Sequence, residues 1–491
     1  MLTPENLDTF LEAIPLESLP QTFRDALYIA RNLGLEHLWI DALCILQKQT
    51  ANTDWVHEAA RMRSVYGGAH VNLAASSATS VDGGCFLKPE YHNGGFCARV
   101  TTTGANAYSA VRNFHSSEVY EESSTGTHLA SRAWSLQEKL LPPRTLFFGN
   151  QGLFWECRTK IASEFLPDGF PGKLGSHLVQ AEDKAWNWGE IVRHYSGAAL
   201  TFGTGRLPAL SGIATRQREA TGDDYLAVMW RRDLVMQLSW ALLSPQHRKK
   251  RPAWRAPSWS WASVDGQTSF WSYWNHDGLV NSAMKYVYVL DSWTTKAGPD
   301  PCGAVVGGEL SIGCSTLLRG RIQQKHESRD TTSSPQKFEP SKVLLESGTL
   351  PIPITIDYLD DETSTGDDDF VYLLPVFSGE SGLGSVRVRQ SGQSNGTGQD
   401  FEDLEHVNQL MNRGLVLSPC GVGKGRFRRI GSFDLRFHPS PDEFLGGDRR
   451  KYYHELMRII GVLGSSMAEA ECSRVLLNPD NPEARFIITI E

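Results

Sequence analysis

The chain has 491 residues, of which 45 are Gly, 24 are Pro and 21% are charged. This composition excludes a low-complexity or fibrous chain, and the length allows about three domains. The formal net charge of −8 argues against nucleic acid as a partner, because an acidic chain has no general attraction for a phosphate backbone. No apolar run reaches the roughly 18 residues of a membrane-spanning helix, so we predict no membrane span.

The first residues and the cysteines indicate the compartment. Residues 1–23 contain no Lys or Arg, whereas a secretory signal begins with a basic segment. The 8 cysteines are scattered without a CxxC pair, which is the usage of free thiols in a reducing compartment and predicts neither a disulfide framework nor a metal site. We therefore expect a cytoplasmic protein.

Four elements are predicted in the first part of the chain. Apolar residues recur at helical spacing over residues 20–34, and residues 38–45 form a short apolar run of the kind that buried strands use. A second helix is predicted over 54–68 with Asp54 as its N-cap, and another buried strand at 71–75. Helix, strand, helix and strand in this order predict a parallel sheet with crossover helices.

Two regions with different residue patterns follow along the rest of the chain. A short ordered segment at 134–138 and a strand pair over 144–155 precede a region, 181–245, that is helical by pattern. Beyond it the chain carries clustered tryptophans and short alternating runs that predict strands. The alternating runs are at 285–290, 308–312 and 371–376, and two polar segments predicted to be mobile loops are at 324–340 and 378–403.

Several blocks of the sequence, occurring in order along most of the chain, resemble the fungal heterokaryon incompatibility (HET) domain and the region that accompanies it. The blocks of the domain itself are LPQTFRDA (19–26), LWIDALCILQ (38–47), the segment 54–69, RAWSLQE (132–138) and WEC (155–157). The downstream blocks are RLPALSGIA (206–214), APSWSWA (256–262), GLVL (414–417) and RRIG (428–431). No counterpart of the family's opening strand, a Tyr/Ser/Tyr-Trp-Gly block, precedes Leu19, so the resemblance implies an N-terminally shortened domain.

The resemblance implies an α/β fold whose N-terminal domain is Rossmann-like, with a parallel sheet related to that of TIR domains. With the composition changes along the chain, it divides the protein into three parts. They are a HET domain at 1–160, a helical connector at 161–250 and a β-rich companion domain at 251–491.

The resemblance also implies a function, that of a cytosolic effector of fungal non-self recognition (allorecognition) that promotes regulated cell death. Some TIR domains hydrolyse NAD with a helix-borne glutamate, so one expectation is NAD hydrolysis after self-association, with NAD as the substrate and no resident cofactor. The alternatives are a non-enzymatic oligomerising interaction module and an inactive or repurposed HET protein. HET proteins often rely on a separate sensor, and the chain has no recognisable sensor repeats; the expected partners are therefore a second copy and a sensor protein.

Glu58 is the catalytic candidate. It follows Trp55 by about one turn of the predicted helix, and the glutamate of TIR enzymes also lies on a Trp-containing helix, so the resemblance places Glu58 at the ribose. A carboxylate there would stabilise the positive charge of an oxocarbenium-like transition state. The alternative is a solvated carboxylate that interacts with the dipole of the helix N-terminus.

Further candidates for ligand binding are Asp41, Gln47, Trp134, Gln137 and Glu138. Asp41 either stands at the carboxyl edge of the sheet, where α/β folds bind ligands, or forms a salt bridge with Arg132 or Arg144. The two glutamines either hydrogen-bond a nucleotide or cap loops. Trp134 is either a core residue or a stacking platform, and Glu138 can pair with the same two arginines.

Overall fold

The computed structural model describes residues 1–48, 53–86, 95–101, 109–115, 118–170, 187–200, 202–243, 250–270, 284–323, 341–346, 348–358, 370–382, 408–420, 423–437, 447–462, 474–475 and 486–491. The chain divides into two compact units. The N-terminal unit comprises Met1–Trp186, Ala198–Gly222 and Gly298–Ala304, and the C-terminal unit comprises Asn187–Gly197, Asp223–Ala297 and Val305–Glu491.

The described residues form helices and strands that we number in chain order. The helices are α1 (Leu7–Glu12), α2 (Gln21–Asn32), α3 (Asp41–Cys44), α4 (Thr53–Gly68), α5 (Glu118–Ser124), α6 (Ser135–Leu140), α7 (Trp188–Ser196), α8 (Pro208–Thr221), α9 (Leu234–Gln237) and α10 (Gly447–Val462). Short 3-10 helices lie at Leu16–Ser18, Gly203–Gly205 and Trp261–Ser263. The strands are β1 (Asn72–Ala74), β2 (Gly95–Thr101), β3 (Ser109–His115), β4 (Arg144–Gly149), β5 (Gly152–Cys157), β6 (Ile161–Ser163), β7 (Tyr225–Leu226), β8 (Met229–Trp230), β9 (Ala241–Leu242), β10 (Thr268–Ser269), β11 (Met284–Lys285), β12 (Val287–Lys296), β13 (Val305–Cys314), β14 (Leu318–Gln323), β15 (Ser341–Leu345), β16 (Ile352–Ile356), β17 (Val371–Gly382), β18 (Asn408–Pro419), β19 (Arg426–Phe437), β20 (Arg474–Val475) and β21 (Phe486–Ile490).

The main sheet of the N-terminal unit has the strand order β1-β4-β5-β6. Strand β1 runs parallel to β4, whereas β4 with β5 and β5 with β6 are antiparallel. The hairpin predicted over 144–155 is confirmed, and Gly149 pairs with Gly152 across its turn. Two strands joined by so short a turn must run antiparallel. The sheet is therefore mixed, and not parallel throughout as the sequence predicts.

Residues 38–45 do not form the predicted strand, because Asp41–Cys44 is a helical turn. The Oδ1 atom of Asp41 accepts the N–H of Ala42 at 2.7 Å. The carbonyl of Ala42 accepts the N–H of Leu2 at 2.7 Å, and the carbonyl of Leu2 accepts the N–H of Gln47 at 2.9 Å. A carboxylate at the start of a helical turn accepts the N–H groups that have no partner within the turn. The backbone groups of this segment thus find hydrogen-bond partners within the turn and in Leu2, without a neighbouring strand.

Three other elements predicted in this region are confirmed. Helix α2 follows Pro20 and ends before Gly34, whose positive φ of 69° is a conformation that favours glycine. Helix α4 and strand β1 match the predictions for 54–68 and 71–75. Asp54, however, lies inside α4 and not at its N-cap, and its Oδ2 atom accepts the N–H of Leu46 at 2.7 Å.

Two hydrophobic clusters pack on opposite faces of this sheet. Phe147 belongs to a cluster with Tyr120 of α5, and Phe148 belongs to a cluster with Ile29 of α2. Because successive side chains of a strand point to opposite faces, α5 and α2 cover different faces of β4. The N-terminal unit is therefore a mixed sheet with helices on both faces.

Six strands of the C-terminal unit close into a barrel in the order β14-β15-β16-β19-β18-β17, with β17 pairing again with β14. Helix α10 packs Tyr453, Leu456 and Ile459 against the hydrophobic core of these strands. Closure leaves the paired strands without free edges. The strands predicted within 285–290, 308–312 and 371–376 are confirmed.

The two polar segments predicted to be loops are described only in part. Residues 378–382 belong to β17. The segment 324–340 and the remainder of 378–403 lie outside the described residues.

The region predicted to be helical, 181–245, is only partly helical. Short strands β7, β8 and β9 lie among its helices α7, α8 and α9. The turn between β7 and β8 holds Val228 at a φ of 69°, which is unfavourable for a β-branched residue. The indole N–H groups of Trp188 and Trp261 both donate to the carbonyl of Val228, at 3.1 and 3.2 Å. Buried tryptophans therefore hold this turn in place.

The tryptophans at 254–274 divide between core and surface. Trp259 and Trp261 are buried, whereas Trp254 is 57% exposed. Trp271 and Trp274 lie outside the described residues.

A fully buried arginine links barrel strand β19 to the core of the C-terminal unit. The guanidinium of Arg429 lies 3.2 Å from the ring centroid of Trp240 and donates to the carbonyls of Leu238 and Trp240, at 3.0 and 2.7 Å. Its Nε atom is 3.5 Å from the carboxylate of Asp357, which is also buried. Burial lowers the pKa of Arg429 to about 10, and the Asp357 charge acts in the opposite direction.

We expect Arg429→Met to lower the free energy of unfolding by about 3–5 kcal/mol, because it leaves the carboxylate of Asp357 buried without its cation. The double variant Arg429→Met, Asp357→Leu should be destabilised less than the single variant. Urea unfolding followed by tryptophan fluorescence measures both. Equal or greater destabilisation of the double variant would contradict this account of the pair.

Candidate functional site

Four polar side chains from separate parts of the N-terminal unit converge on one place. Asp41 begins α3, Tyr66 lies in the last turn of α4, Arg132 precedes α6 and Glu138 lies within α6. The hydroxyl of Tyr66 hydrogen-bonds to the carboxyl group of Glu138, and the charges of Asp41 and Arg132 act on both residues. Tyr66 and Glu138 are half-buried, whereas Asp41 and Arg132 are exposed. The cluster therefore extends from the protein interior to solvent.

The environment of Glu138 favours its protonated form. Burial, followed by the negative charge of Asp41, raises the pKa of Glu138 to about 7, although Arg132 and the hydrogen bond from Tyr66 act to lower it. A carboxyl group with this pKa holds and releases a proton near neutral pH. Perturbed pKa values of this kind cluster at functional sites.

Tyr66 stays a neutral hydrogen-bond donor. Burial and the nearby charges of Glu138 and Asp41 raise the pKa of Tyr66 above its ordinary value. Its ring packs edge-to-face against Trp39, with the centroids 5.5 Å apart. Its hydroxyl is thus held against Glu138 by packing on the ring.

A second aromatic pair lies beside the same helices. Trp55 of α4 and Trp134, which immediately precedes α6, pack edge-to-face with their centroids 5.7 Å apart. Trp134 is half-buried. The Trp39–Tyr66 pair places a flat apolar surface beside Glu138, which suits a ligand with an aromatic ring.

Helix α6 is also tied to the sheet. The side-chain amide of Asn72, on β1, donates to the backbone carbonyl of Glu138 at 2.9 Å. Lys139 lies 3.9 Å from the carboxylate of Glu156 on β5 and within 6 Å of the ring centroids of Tyr120 and Phe147. The backbone carbonyl of Glu138 and the side chain of Lys139 are therefore held by the sheet.

Two of the residues predicted from the sequence, Asp41 and Glu138, meet in this cluster. Arg132, proposed as their ion-pair partner, acts on Glu138 by its charge. Cys44, three residues after Asp41, is exposed, although its apolar surroundings in the sequence predict a buried thiol.

Glu58 has different partners. Its Oε1 atom accepts a hydrogen bond from Arg61 at 2.8 Å and lies 3.0 Å from Nδ1 of His57, and its side chain is 15% exposed. It lies one turn after Trp55 on α4. Its predicted catalytic role stays a prediction.

Both predicted glutamines make contacts within the protein. The amide of Gln47 donates to the carbonyl of Ile45 at 3.0 Å. Gln137 is fully buried and contacts α8, with its oxygen 3.1 Å from the nitrogen of Gly212. Their predicted ligand-binding roles also stay predictions.

Tyr66 is the member of the cluster that the sequence did not single out as a functional residue. It shares an apolar helix face with Ala59 and Met62, both buried, and this pattern is typical of a core residue. The feature that could have indicated a functional role is its hydroxyl group, because a buried hydroxyl needs a hydrogen-bond partner.

The cluster can exchange a proton and stabilise a positive charge. The ionised form of one carboxyl group opposes ionisation of the other, so the two can divide the roles of charge stabiliser and proton acceptor. Within the described ranges, no group of three or more His, Cys, Asp and Glu side chains could hold a metal ion.

We expect Glu138→Gln to stabilise the chain relative to the parent as pH rises from 5 to 8. Because the pKa of Glu138 is raised in the folded chain, protonated Glu138 adds to the free energy of unfolding. This contribution is complete below the pKa that Glu138 has in the unfolded chain, and it is lost as pH rises through about 7. Allowing for solvent, the difference should be on the order of 1–2 kcal/mol. Urea unfolding at both pH values measures it.

The exposed residue Glu36 supplies the matched control for this measurement. Glu36→Gln should show no comparable pH-dependent gain in the free energy of unfolding. A constant difference between Glu138→Gln and the parent from pH 5 to 8 would contradict the raised pKa.

Comparison with known proteins identifies one family. No curated protein sequence and no solved structure matches the chain. None of the described helices combines the length and apolarity needed to cross a membrane. Residues 4–138 match the family model described as Heterokaryon incompatibility protein (HET), and this range includes Asp41, Tyr66, Arg132 and Glu138. This match confirms the resemblance to the HET domain that the sequence blocks indicate, and it covers residues 4–138.

Proposed function

We propose that the chain is an effector of heterokaryon incompatibility in a fungal cell and that its Glu138 cluster hydrolyses NAD. The HET family match supports the biological role. The observation that carries the enzymatic part is the carboxyl group of Glu138, whose pKa is raised to about 7 by burial and by the charge of Asp41, beside the Trp39–Tyr66 aromatic pair. Regulated cell death follows from loss of NAD in this proposal.

Two carboxyl groups match the needs of glycosidic bond hydrolysis. The bond between C1′ of the ribose and the nicotinamide nitrogen breaks, and its electron pair stays on the nitrogen, so the base leaves as neutral nicotinamide. Ionised Asp41 stabilises the positive charge that develops on the ribose. Ionised Glu138 takes a proton from the attacking water, whose oxygen bonds to C1′. The products are nicotinamide, ADP-ribose and a proton.

The surrounding residues supply orientation. Tyr66 donates its hydrogen bond to Glu138 and so directs the carboxylate lone pairs. Trp134 and Trp55 offer ring edges and faces to a nicotinamide or adenine ring. In this proposal Asp41, Trp134 and Glu138 take the ligand-facing roles, and Glu58 is the second candidate for the catalytic carboxylate because it follows Trp55 by one turn of α4.

A non-enzymatic platform is the second candidate function, and an exposed apolar surface favours it. Tyr28 and Leu33 of the α2 region and Phe86 are 62%, 52% and 56% exposed, and Tyr28 packs edge-to-face on Phe86 at 6.0 Å. Exposed apolar patches often serve as interaction sites. Self-association of HET domains through this surface would recruit a sensor protein without hydrolysis.

Induced expression of the chain in a fungal host should lower cellular NAD and viability, and Glu138→Gln should prevent both, because the amide cannot accept the proton from water. Glu36→Gln, which alters an exposed carboxylate, should behave as the parent. A luminescent NAD assay and colony counts measure the outcome. If Glu58→Gln preserves NAD and viability and Glu138→Gln does not, then Glu58, and not Glu138, is the catalytic carboxylate.

Stable NAD in dying cells would overturn hydrolysis and favour the platform. In that case Tyr28→Ser combined with Phe86→Ser should abolish killing, because it removes the apolar surface. Stable NAD and full viability with the parent chain would contradict both functions.

The purified protein should hydrolyse NAD with a rate that rises with pH around a midpoint of about 7, since Glu138 must be ionised to accept a proton. Asp41→Asn should move the midpoint down, because it removes a negative charge that raises the pKa of Glu138. Arg132→Met should move the midpoint up, because it removes a positive charge that lowers the pKa of Glu138.

Arg61→Met provides the control, since Arg61 pairs with Glu58 and not with Glu138. Its midpoint should equal that of the parent. Midpoints that do not respond to Asp41→Asn or Arg132→Met would show that another group controls the rate.

A further inference from the structure

A fully buried side-chain amide joins α6 to α8. The Oε1 atom of Gln137 accepts the N–H of Gly212 at 3.1 Å, and its Nε2 atom contacts the carbonyl of Pro208 at 3.4 Å. Pro208 and Gly212 are four residues apart, so in a regular α-helix this N–H would donate to this carbonyl. Gln137 thus contacts both groups with one rigid side-chain amide, and it has no exposed surface.

Gly212 permits this contact because it has no Cβ. A Cβ atom built at position 212 would overlap the Oε1 atom of Gln137 and lie 3.1 Å from Leu141 and 3.2 Å from Arg63. Leu141, just after α6, is buried, and Arg63 lies on α4. Even alanine at this position would therefore push Gln137 away from α8.

Gln137 immediately precedes Glu138 in the six-residue helix α6. Neighbouring residues of a helix project about 100° apart, so Gln137 points at α8 while Glu138 points at Tyr66. Asn72 holds the backbone carbonyl of Glu138, and Lys139 lies next to Glu156 of β5, so two contacts join α6 to the sheet. The amide of Gln137 supplies a separate anchor, to α8.

We propose that the Gln137–Gly212 contact is a positioning device that sets the depth of the Glu138 carboxyl group in the site. The inference rests on the proposed function for the catalytic role of Glu138, but the placement itself is a property of the fold. Displacement of a reacting group by about 1 Å can lower a rate about 100-fold. Gln137 does not touch the reacting atoms in this account and is a positioning residue.

The test compares the pKa of Glu138 among variants of the full chain. The groups that act on Glu138 are Asp41, Tyr66 and Arg132, and all three stay unchanged. Gln137→Met keeps the side-chain volume and removes both polar contacts. Carboxyl ¹³C titration of glutamate-labelled protein, with Glu138→Gln to identify the resonance, gives the pKa. We expect it to fall by at least about one unit, because a displaced carboxyl group is better solvated.

Gly212→Ala displaces Gln137 from the other side and should lower the pKa of Glu138 in the same direction. If Gln137→Met does not fold, the pKa of Glu138 in Gly212→Ala tests the positioning role in its place. Arg63→Met is the matched control: it breaks the ion pair between Arg63 and Glu219 that joins α4 to α8 and leaves Gln137 intact. It should lower stability without changing the pKa of Glu138.

An unchanged pKa of Glu138 in folded Gln137→Met or Gly212→Ala would overturn the positioning role, and so would an equal fall in Arg63→Met. Absence of NAD hydrolysis in the parent would overturn the proposed function and leave the pKa comparison intact. If the parent is active, Gln137→Met should lower kcat more than it raises KM and should shift the pH midpoint with the pKa, which a loss of stability alone would not do.

Discussion

The position of helix α6 is the constraint on which the candidate site depends. Three consecutive residues of this six-residue helix contact three different elements: Gln137 contacts α8, Glu138 contacts Tyr66 of α4, and Lys139 lies next to Glu156 of β5. Asn72 of β1 also holds the carbonyl of Glu138. Because so short a helix has almost no stability of its own, its orientation comes from these contacts, and the site exists only where all of them form.

The two units use buried charge in different ways. In the C-terminal unit, Arg429 is surrounded by carbonyls, an aromatic face and a carboxylate, so its charge is compensated and serves the packing. In the N-terminal unit, burial and Asp41 both disfavour ionisation of Glu138, so the folded chain holds a carboxyl group against its ordinary preference. Carboxyl groups with a pKa raised by burial and a neighbouring charge cluster at functional sites, and this is why the Glu138 cluster is the candidate site.

The sequence identified part of the site and missed the rest for physical reasons. Asp41 stood out as a carboxylate within an apolar run, Glu138 as a residue of the HET-like block at 132–138, and Arg132 as a possible ion-pair partner of both. Tyr66 did not, since a tyrosine on an apolar helix face is indistinguishable from core packing until its hydroxyl finds a partner. Gln137 could be read as a loop cap or a ligand contact, and only the approach of Gly212 shows what its amide binds.

The sequence by itself determined the elements whose causes are local, together with the resemblance of residues 4–138 to the HET domain. Helix α2 and helix α4 follow from the spacing of apolar residues, and the β4–β5 hairpin follows from its turn. The tertiary structure decided the mixed direction of the first sheet, the helical turn at Asp41–Cys44 and the closure of the barrel. It also decided the pKa of Glu138. These properties depend on residues far apart in the chain, such as Leu2 with Ala42 and Asp41 with Glu138, and no local pattern encodes the distance between them.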